Sequence, residues 1–267
     1  MKTHDLVAAS FNLPELTYRV WKVWRRDWDV FMKTWKVNFF PPLLEPIFYL
    51  LAMGFGLGGF IQSVGGLPYI QFIAPGLISI SIMYGSFFEC TYGSFVRMYY
   101  QKTFDGIIAT PISIEEVIAG ELFWGATRSL ISSSIVLAVV AAFGLITSPL
   151  FILIPIVAFF SGLMFSAIGM CFTALAPNID FFNYPGFLFV TPMFLLSGTF
   201  FPLSSTPVLM QTFAKLFLPL THTVNLTKGL LFGSLESSML LSIVWIVIVT
   251  PVFFVLSINL MKKRLLK

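Results

Sequence analysis

Four ionisable side chains lie inside or beside long apolar stretches of this 267-residue sequence: Glu45, Glu89, Glu121 and Arg128. Carboxylates in apolar surroundings can carry protons, bind ions or act as an acid and base pair, but each role needs a second group placed nearby. Glu121 and Arg128 are seven residues apart, so on one helix they share a face two turns apart, and a direct pair needs long side-chain reach. None of the four forms a proton relay or a catalytic pair by itself.

The sequence also lacks the patterns of metal binding and nucleotide hydrolysis. His222, in PLTHTV, has no Cys, Asp or second His at ligand spacing, and Cys90 and Cys171 fall in apolar runs where small packing residues are common. Residues 54–59 (GFGLGG) resemble a phosphate-binding loop but lack the Gly-Lys-Ser/Thr that must follow, so close helix packing explains them better. We therefore expect no cofactor in this chain and no enzymatic activity of its own.

The composition predicts a membrane protein. Hydrophobic residues make up 57% of the chain and charged residues only 10%, whereas a soluble domain has about 25% charged residues. Several apolar stretches approach the roughly 20 residues with which a helix crosses a bilayer, and they do not alternate as barrel strands do. The formal net charge of +4 sits at the chain ends rather than in one patch, so nucleic acid is not an expected partner. The sequence predicts an all-α integral membrane protein.

Six transmembrane helices are predicted, at residues 39–60, 70–90, 118–145, 151–175, 184–201 and 238–261. Cytoplasmic connections retain an excess of Lys and Arg, and here seven precede the first span, two follow the second and four end the chain. Both termini are therefore predicted to be cytoplasmic. This gives a cytoplasmic N-terminus (1–38), a six-span domain (39–261) and a basic tail (262–267). Glu89 and Glu121 then lie near the cytoplasmic interface, where we expect them to be solvated or paired with headgroups.

The connection between the fifth and sixth spans carries Lys215 and Lys228, although six spans require it to face outward. Its segment PVLMQTFAKLFLPLTH, residues 207–222, is too short and too closely bounded by proline to cross a bilayer. Irregular backbone at membrane depth survives only where protein or a wet cavity satisfies it. We therefore predict a re-entrant or surface-lying helical hairpin before the sixth span.

An amphipathic helix is predicted ahead of the first span. Its aromatic side chains recur at steps of three and four and share one narrow face: Trp21, Trp24, Trp28, Phe31 and Trp35. Lysines and arginines fall on another side, as in a helix that lies in the membrane interface. Packing of the aromatic stripe against the protein or a partner is the alternative. Pro41 and Pro42 then predict a break at the entry to the first span, which Glu45 caps.

The polar stretch QKTFDGIIATPIS, residues 101–113, interrupts the apolar chain after the second span. Pro111 favours a sharp helix start, and Ser113 with Glu116 forms a capping-box pattern. Residues 100–108 precede that start as a short amphipathic segment, ended or bent at Gly106. Such a rigid, exposed element at the inner membrane face is a surface that a second protein can push.

At these residues the chain resembles the type-2 family of ATP-binding-cassette (ABC) exporter permeases. The matching stretches are residues 106–113 (GIIATPIS), 116–120 (EVIAG), 196–207 (LSGTFFPLSSTP) and 217–222 (FLPLTH). Within that family it looks most like the permeases for lipooligosaccharide export of the nodulation-factor (NodJ) type, over nearly the whole chain. The resemblance implies a permease dimer in the bacterial inner membrane, paired with two copies of a separate ATPase subunit that binds ATP.

The resemblance also implies that the segment after the second span is the coupling helix, which contacts the ATPase. Phe104 is the expected anchor of that contact, since a buried aromatic side chain dominates small interfaces. The residues assigned to this contact are Tyr100, Gln101, Lys102, Thr103, Phe104, Asp105 and Gly106.

The expected cargo is an amphiphile, such as a lipid-linked saccharide. Phe187 and Phe189, in an aromatic-rich stretch, are candidates for lining its path, and packing against lipid is the alternative. A drug-efflux permease of the same family, an ion-coupled secondary transporter and a membrane enzyme are rival functions. The last two are disfavoured, because no repeated halves and no convergent catalytic groups occur in the sequence.

Overall fold

The computed structural model describes residues 13–61, 63–64, 66–234 and 236–266, with the backbone alone for Phe55. Within these ranges the chain is helical almost throughout. A small antiparallel pair of strands, β1 (Ser63–Val64) and β2 (Leu67–Pro68), precedes the second helix. The helices are, in chain order, α1 (Val20–Leu51), α2 (Tyr69–Phe88), α3 (Thr103–Ile108), α4 (Ile114–Ala142), α5 (Ile154–Leu175), α6 (Asn183–Pro185), α7 (Thr191–Leu196), α8 (Val208–Phe217), α9 (Pro219–Phe232) and α10 (Ser237–Leu265).

Six helical stretches in the described part of the chain are long and apolar enough to cross a membrane. They agree in number and order with the six predicted spans, although most begin or end several residues away from the predicted positions. The stretches are Val20–Gly59, Tyr69–Tyr100, Ile114–Ala142, Pro149–Leu175, Ile179–Leu196 and Ser237–Leu265.

Helix α1 joins two elements that the sequence separates. It runs unbroken through Pro41, Pro42 and Pro46, so the predicted break capped by Glu45 is wrong. A proline has no N–H, and the carbonyl four residues earlier loses its helical partner. Helices in apolar surroundings tolerate such gaps where side chains, water or neighbouring helices replace the bond. The predicted boundary at residue 38 therefore falls inside a single helix.

Helix α2 changes its winding towards its C-terminal end. Beyond Phe88 it continues as two π-helical turns, Glu89–Gly93 and Val96–Tyr100. Wider turns of this kind rotate the side chains that follow around the helix axis, and they are frequent at functional sites. Lys102 then adopts the left-handed conformation, with a φ of 55°, and turns the chain into α3. A non-glycine residue in this conformation stores strain.

The predicted capping box starts α4. Ser113 N donates to Glu116 Oε2 at 2.8 Å, and Glu116 N donates to Ser113 Oγ at 3.2 Å. The helix itself begins at Ile114, three residues later than Pro111 predicts. Two backbone donors at the helix start are thereby satisfied, which fixes the point at which α3 connects to the bundle.

The fifth apolar stretch is the least regular of the six. A 3₁₀ turn, α6, a π-helical turn at Gly186–Val190 and α7 follow one another within it. The stretch for which a hairpin is predicted holds α8 and α9. Leu218, in an extended conformation, separates these two helices, and Pro219 begins the second.

Helix α5 lies at the centre of the bundle, against α2, α4 and α10. At its crossing with α4 the two backbones approach closely, because Gly162 faces Ser129. A Cβ atom at Gly162 would lie 1.8 Å from Ser129 Oγ, and that hydroxyl donates to Ala158 O at 2.9 Å. Small residues at such a crossing increase the packing between helices.

Contacts distinguish the two ends of the bundle. At one end Thr17 donates a hydrogen bond to Glu116, and Lys262 Nζ lies 2.5 Å from Glu115 Oε1. We call this the terminal end, because both described chain ends meet the start of α4 there. At the other end Ser148 N, in the α4–α5 connection, donates to Leu231 O of α9 at 3.1 Å. We call it the hairpin end.

Candidate functional site

Six ionisable side chains meet near the terminal end, between α1, the end of α2 and α4. They comprise three carboxylates and three guanidinium groups, so the cluster carries no net formal charge. Each of the three elements contributes two members. We call them the charge cluster: Arg26 and Asp27 on α1, Glu89 and Arg97 on the extended α2, and Glu121 and Arg128 on α4.

Arg97 is the centre of the charge cluster. Its Nη2 lies 2.5 Å from Glu121 Oε2 and its Nη1 lies 2.7 Å from Glu89 Oε1. The Nε donates to Glu121 Oε2 at 2.9 Å, and Ser94 Oγ donates to the same oxygen at 2.7 Å. The Glu121 residue is 0% exposed. This forked geometry needs the planar guanidinium of arginine, since a lysine supplies only a point charge.

Gly93 makes room for these contacts. It lies between Glu89 and Arg97 at steps of four residues, on the same side of the helix. A Cβ atom there would lie 2.9 Å from Glu89 Oε1 and 3.3 Å from Arg97 Nη1. The Glu-x₃-Gly-x₃-Arg spacing is therefore the sequence signal that identifies this half of the cluster.

Arg128 ties α4 to both other elements. Its Nε lies 3.4 Å from Glu89 Oε2, and its Nη2 donates to Asn38 Oδ1 of α1 at 3.1 Å. The guanidinium carbon lies 5.0 Å from the centre of the Phe31 ring. Trp124 Nε1 donates to Glu89 Oε1 at 3.0 Å. Two side chains of α4 therefore contact Glu89, which also pairs with Arg97 of its own helix.

Asp27 brings α1 into the charge cluster. It is 3% exposed, is bonded by Arg26, and its Oδ1 lies 3.9 Å from Arg97 Nε. One turn earlier, Val23 packs on Gly120 of α4, where a Cβ atom would lie 2.6 Å from Val23 Cβ. The glycine of the EVIAG stretch thus allows α1 to approach α4 closely enough for these charges to meet.

The contacts of the charge cluster correct one sequence-based expectation and answer one question that the sequence leaves open. Glu89 and Glu121 are paired within the chain rather than solvated or bonded to headgroups, because each accepts hydrogen bonds from the half-buried guanidinium of Arg97. Glu121 and Arg128 do not pair with each other, since Glu121 pairs with Arg97 and Arg26 while Arg128 pairs with Glu89. Every carboxylate of the cluster has a guanidinium partner, so the arrangement holds helices together.

Two cavities adjoin the charge cluster. The network cavity, about 530 Å³, is lined by Arg97 and Asp27 and also by Gln101 and Thr103 of the segment after α2. The proline cavity, about 270 Å³, lies along the proline-containing half of α1 and is lined by Glu45, Tyr49 and Tyr84. Asn38 and Arg128 line both. Asn38 and Arg128 therefore form a polar surface shared by the two cavities, between the segment after α2 and the proline-containing half of α1.

The coupling segment, residues 100–106, presents a mostly exposed surface. Tyr100, Gln101, Lys102, Asp105 and Gly106 are exposed, and Thr103 is half-buried. Lys102 Nζ lies 3.9 Å from Asp105 Oδ2.

Phe104 departs from this pattern, because it is 0% exposed. It belongs to a separate cluster of buried hydrophobic residues that includes residues of α4 and α10, and we call this cluster the second core. The expectation that its side chain anchors an ATPase is therefore corrected: Phe104 anchors α3 to its own bundle.

The aromatic stripe of α1 divides between the bundle and the surface. Trp24 Nε1 donates to Thr127 Oγ1 of α4 at 2.8 Å, and Phe31 contacts Trp124 with ring centres 5.7 Å apart. Trp28 is half-buried between them, whereas Trp21 and Trp35 are 60% and 46% exposed. The middle of the stripe thus follows the packing alternative. A place in the membrane interface stays a prediction for its two ends.

The two phenylalanines assigned to a cargo path face in different directions. Phe187 is 73% exposed. Phe189 is partly buried and packs against the larger hydrophobic core of the bundle. Its ring centre lies 5.7 Å from that of Phe172 and 6.1 Å from that of Phe87. A cargo-lining role stays a prediction, and only Phe187 can be truncated without opening the core.

Comparison with known proteins identifies related sequences. Residues 18–232 match the family model described as ABC-2 type transporter. The chain is 33% identical to nodulation protein J of Sinorhizobium fredii, with 91% of this chain and 93% of the relative covered. It is 35% identical to nodulation protein J of Rhizobium leguminosarum bv. trifolii, with 92% and 93% covered. The inner membrane transport permease YadH of Escherichia coli is 24% identical, with 80% and 81% covered. No solved structure matches the chain.

Proposed function

Because the chain belongs to the ABC-2 type transporter family, we propose that it is the permease subunit of an exporter that moves an amphiphile across the bacterial inner membrane. A separate ATPase subunit, present in two copies, supplies the energy. A lipooligosaccharide or lipid-linked saccharide is the proposed cargo. The resemblance of residues 106–113 and 196–207 to lipooligosaccharide export permeases supports this cargo class, and the relatives named nodulation protein J are similar over most of the chain.

In this proposal the terminal end faces the cytoplasm. The basic residues of α1 and of the end of α10 lie there, as the distribution of Lys and Arg in cytoplasmic segments requires. The coupling segment emerges at the same end, because Glu115 and Glu116, which follow it at the start of α4, contact Lys262 and Thr17. The hairpin of α8 and α9 then lies on the outer side as a re-entrant element.

The observation that carries the proposal is the connection between the coupling segment and the charge cluster. Gln101 and Thr103 line the same cavity as Arg97 and Asp27. Arg97 lies only a few residues before the exposed surface, on a helix that bonds α4 and α1 through buried charges. A displacement of the coupling segment by an ATPase is therefore transmitted to three elements at once, with no flexible linker between them.

A second copy of the chain is proposed to cover one face of α1. Exposed apolar residues recur there at helical spacing, and Glu45 lies exposed among them. An ionised carboxylate facing lipid is costly, so this face is expected to meet a partner permease or a wet path.

Another hydrophobic molecule, such as a drug, is the alternative cargo. The lining of the proline cavity is mainly apolar, which favours a cargo of this kind.

The proposed coupling surface is tested by adding bulk at Gly106. No heavy atom lies within 4 Å of the position of a Cβ at Gly106, so Gly106→Trp fits this chain but fills the space that a partner needs. We expect an unchanged melting temperature and at least about tenfold less co-purified ATPase subunit, equivalent to about 1.4 kcal/mol of binding free energy.

Two matched variants accompany this test. Gly106→Ala adds only a methyl group and should retain the ATPase. Gly186→Trp adds the same indole at another glycine whose Cβ position is open, and it should also retain the ATPase. Co-purification of Gly106→Trp at the wild-type level, with transport intact, contradicts the assignment of this surface.

A further inference from the structure

A pocket of about 340 Å³ opens at the hairpin end, far from the charge cluster. Residues of α9, the start of α10 and the loop after α7 line it. Its polar members include Ser197, Thr221, Lys215 and Lys228, and its apolar members include Phe72 and Leu241. We call it the hairpin pocket. No residue of the coupling segment or charge cluster lines it.

Two buried hydroxyl groups in the hairpin pocket have no hydrogen-bond partner among the described residues. Ser197 is 2% exposed and Thr221 is 9% exposed, and neither side-chain oxygen is bonded. A buried hydroxyl without a partner costs free energy, so such a group in a folded protein calls for a partner such as an ordered water, an ion or a ligand. Both residues line the pocket; Ser197 precedes α8 in the chain and Thr221 follows it. The pocket therefore holds donors for a polar ligand.

The two lysines of the hairpin pocket also lack an ion-pair partner among the described residues. Lys215 and Lys228 form no ion pair with any described carboxylate, and Lys228 Nζ lies 5.6 Å from the centre of the Phe72 ring. Glu236 is the acidic residue in the described lining, and its carboxylate accepts from Ser238 rather than from a lysine. Two lysines against one glutamate leave an excess of one positive charge.

His222 adds no positive charge to the hairpin pocket near neutral pH. It is 3% exposed and stacks on Trp245 with ring centres 4.4 Å apart. Its two nitrogens are bonded to Lys215 O at 3.0 Å and to Ser242 Oγ at 3.2 Å. Burial lowers its pKa below the ordinary value. The imidazole therefore serves to hold the end of α8 beside α9 and α10, which positions Lys215.

We propose that the hairpin pocket binds the anionic group of an amphiphile, through its two lysines and its two unpartnered hydroxyls. Lysine ammonium groups neutralise the charge, hydroxyls donate to the anionic oxygens, and Phe72 and Leu241 contact the first carbons of the apolar chain. A phosphate or carboxylate group on a membrane lipid or on an exported amphiphile has this chemistry. The assignment goes beyond the proposed function and does not depend on an ATPase.

The binding test uses the full chain purified in a neutral detergent, without an ATPase subunit. The probe is a fluorescent lysophosphatidylglycerol, and we expect saturable binding to the wild type. Lys215→Ala with Lys228→Ala should weaken that binding at least tenfold. Ser197→Ala with Thr221→Val should weaken it several-fold. Lys22→Ala with Lys33→Ala removes the same charge from exposed positions of α1 and should leave the affinity unchanged.

Competition separates binding of an anionic amphiphile from binding of a free anion or of a zwitterionic lipid. Unlabelled lysophosphatidylglycerol should displace the probe, and inorganic phosphate alone should displace it only at far higher concentration, because it lacks the apolar part. Displacement by zwitterionic lysophosphatidylcholine as effective as by the anionic lipid overturns the proposal, and so does equal affinity of the lysine variant and the wild type.

Folding is checked by the melting temperature and by a charge-preserving variant. Lys215→Arg with Lys228→Arg should bind the probe within a few-fold of the wild type. If the double alanine variant fails to fold, Lys215→Gln alone serves, because Lys215 is an exposed residue. Undiminished binding by Lys215→Gln then overturns the role of that lysine in the pocket. These results leave the assignment of the coupling surface untouched, since neither the probe nor the variants reach it.

Discussion

Replacing Arg97 with methionine is expected to lower the free energy of unfolding by about 3–5 kcal/mol, the range observed when one partner of a buried ion pair is removed. Glu121, Glu89 and Asp27 all point carboxylate oxygens at this guanidinium. Without it the charge cluster keeps three carboxylates and two cations, and the carboxylates of Asp27 and Glu121 are buried. The expected observation is a large fall in the melting temperature of the purified chain in detergent.

Three further variants make the Arg97 prediction specific. Arg97→Lys keeps the charge but loses the fork of donors, so it should fall between wild type and Arg97→Met. Arg25→Met removes an exposed arginine of α1 and should change the melting temperature little, because exposed charges contribute about 0–1 kcal/mol. A double change of Arg97→Met with Glu121→Gln should be less harmful than the sum of the single changes. Simple additivity would show that these two groups do not interact.

Truncating Phe104 to alanine is the second large effect, at about 3–5 kcal/mol. The ring is fully buried in the second core and is the buried residue of the six-residue helix α3. Its loss leaves a cavity beneath the coupling segment, so we expect both a lower melting temperature and weaker retention of the ATPase subunit. Gly106→Trp, by contrast, should weaken retention alone.

Phe187→Ala is the matched control, since that ring is 73% exposed. It should change the melting temperature far less than Phe104→Ala does. A Phe104→Ala chain that melts like the wild type but fails to retain the ATPase would restore Phe104 as a direct contact and contradict the burial on which this prediction rests.

Apolar length made the six spans predictable, because a stretch that crosses a bilayer is visible without knowledge of its neighbours. The capping box at Ser113 and Glu116 was equally local. The break at Pro41 and Pro42 was wrong, since proline is expensive in an isolated helix but tolerated where adjoining groups replace its bond. Whether these prolines interrupt α1 therefore depended on the groups packed around the helix, which the sequence does not show.

The charge cluster was only partly predictable from the sequence. Glu89, Glu121 and Arg128 stand out because charge is rare in apolar runs. Arg97 lies just after the second predicted span and Asp27 lies among basic residues ahead of the first, where charge is ordinary. Their partners on other helices lie 24 or more residues away in the chain, so only packing shows that these groups belong together. The Glu-x₃-Gly-x₃-Arg spacing on α2 was the one local clue.

The burial of Phe104 also could not be predicted from the sequence. An aromatic ring in a polar segment fits an interface with another protein as well as it fits an anchor to the chain's own core. The choice depended on whether α4 and α10 leave space beneath α3, and they do. The sequence showed that this polar segment interrupts the apolar chain, but it could not show which side of α3 faces outward.

Transport by reconstituted vesicles tests the central claim most directly. The purified chain is incorporated with its ATPase subunit, and transfer of a fluorescent lipooligosaccharide between leaflets is measured with and without ATP. We predict transfer that needs both ATP and the ATPase subunit and that is lost with Gly106→Trp. Equal transfer by the chain alone, or transfer driven by a proton gradient without nucleotide, would contradict the account.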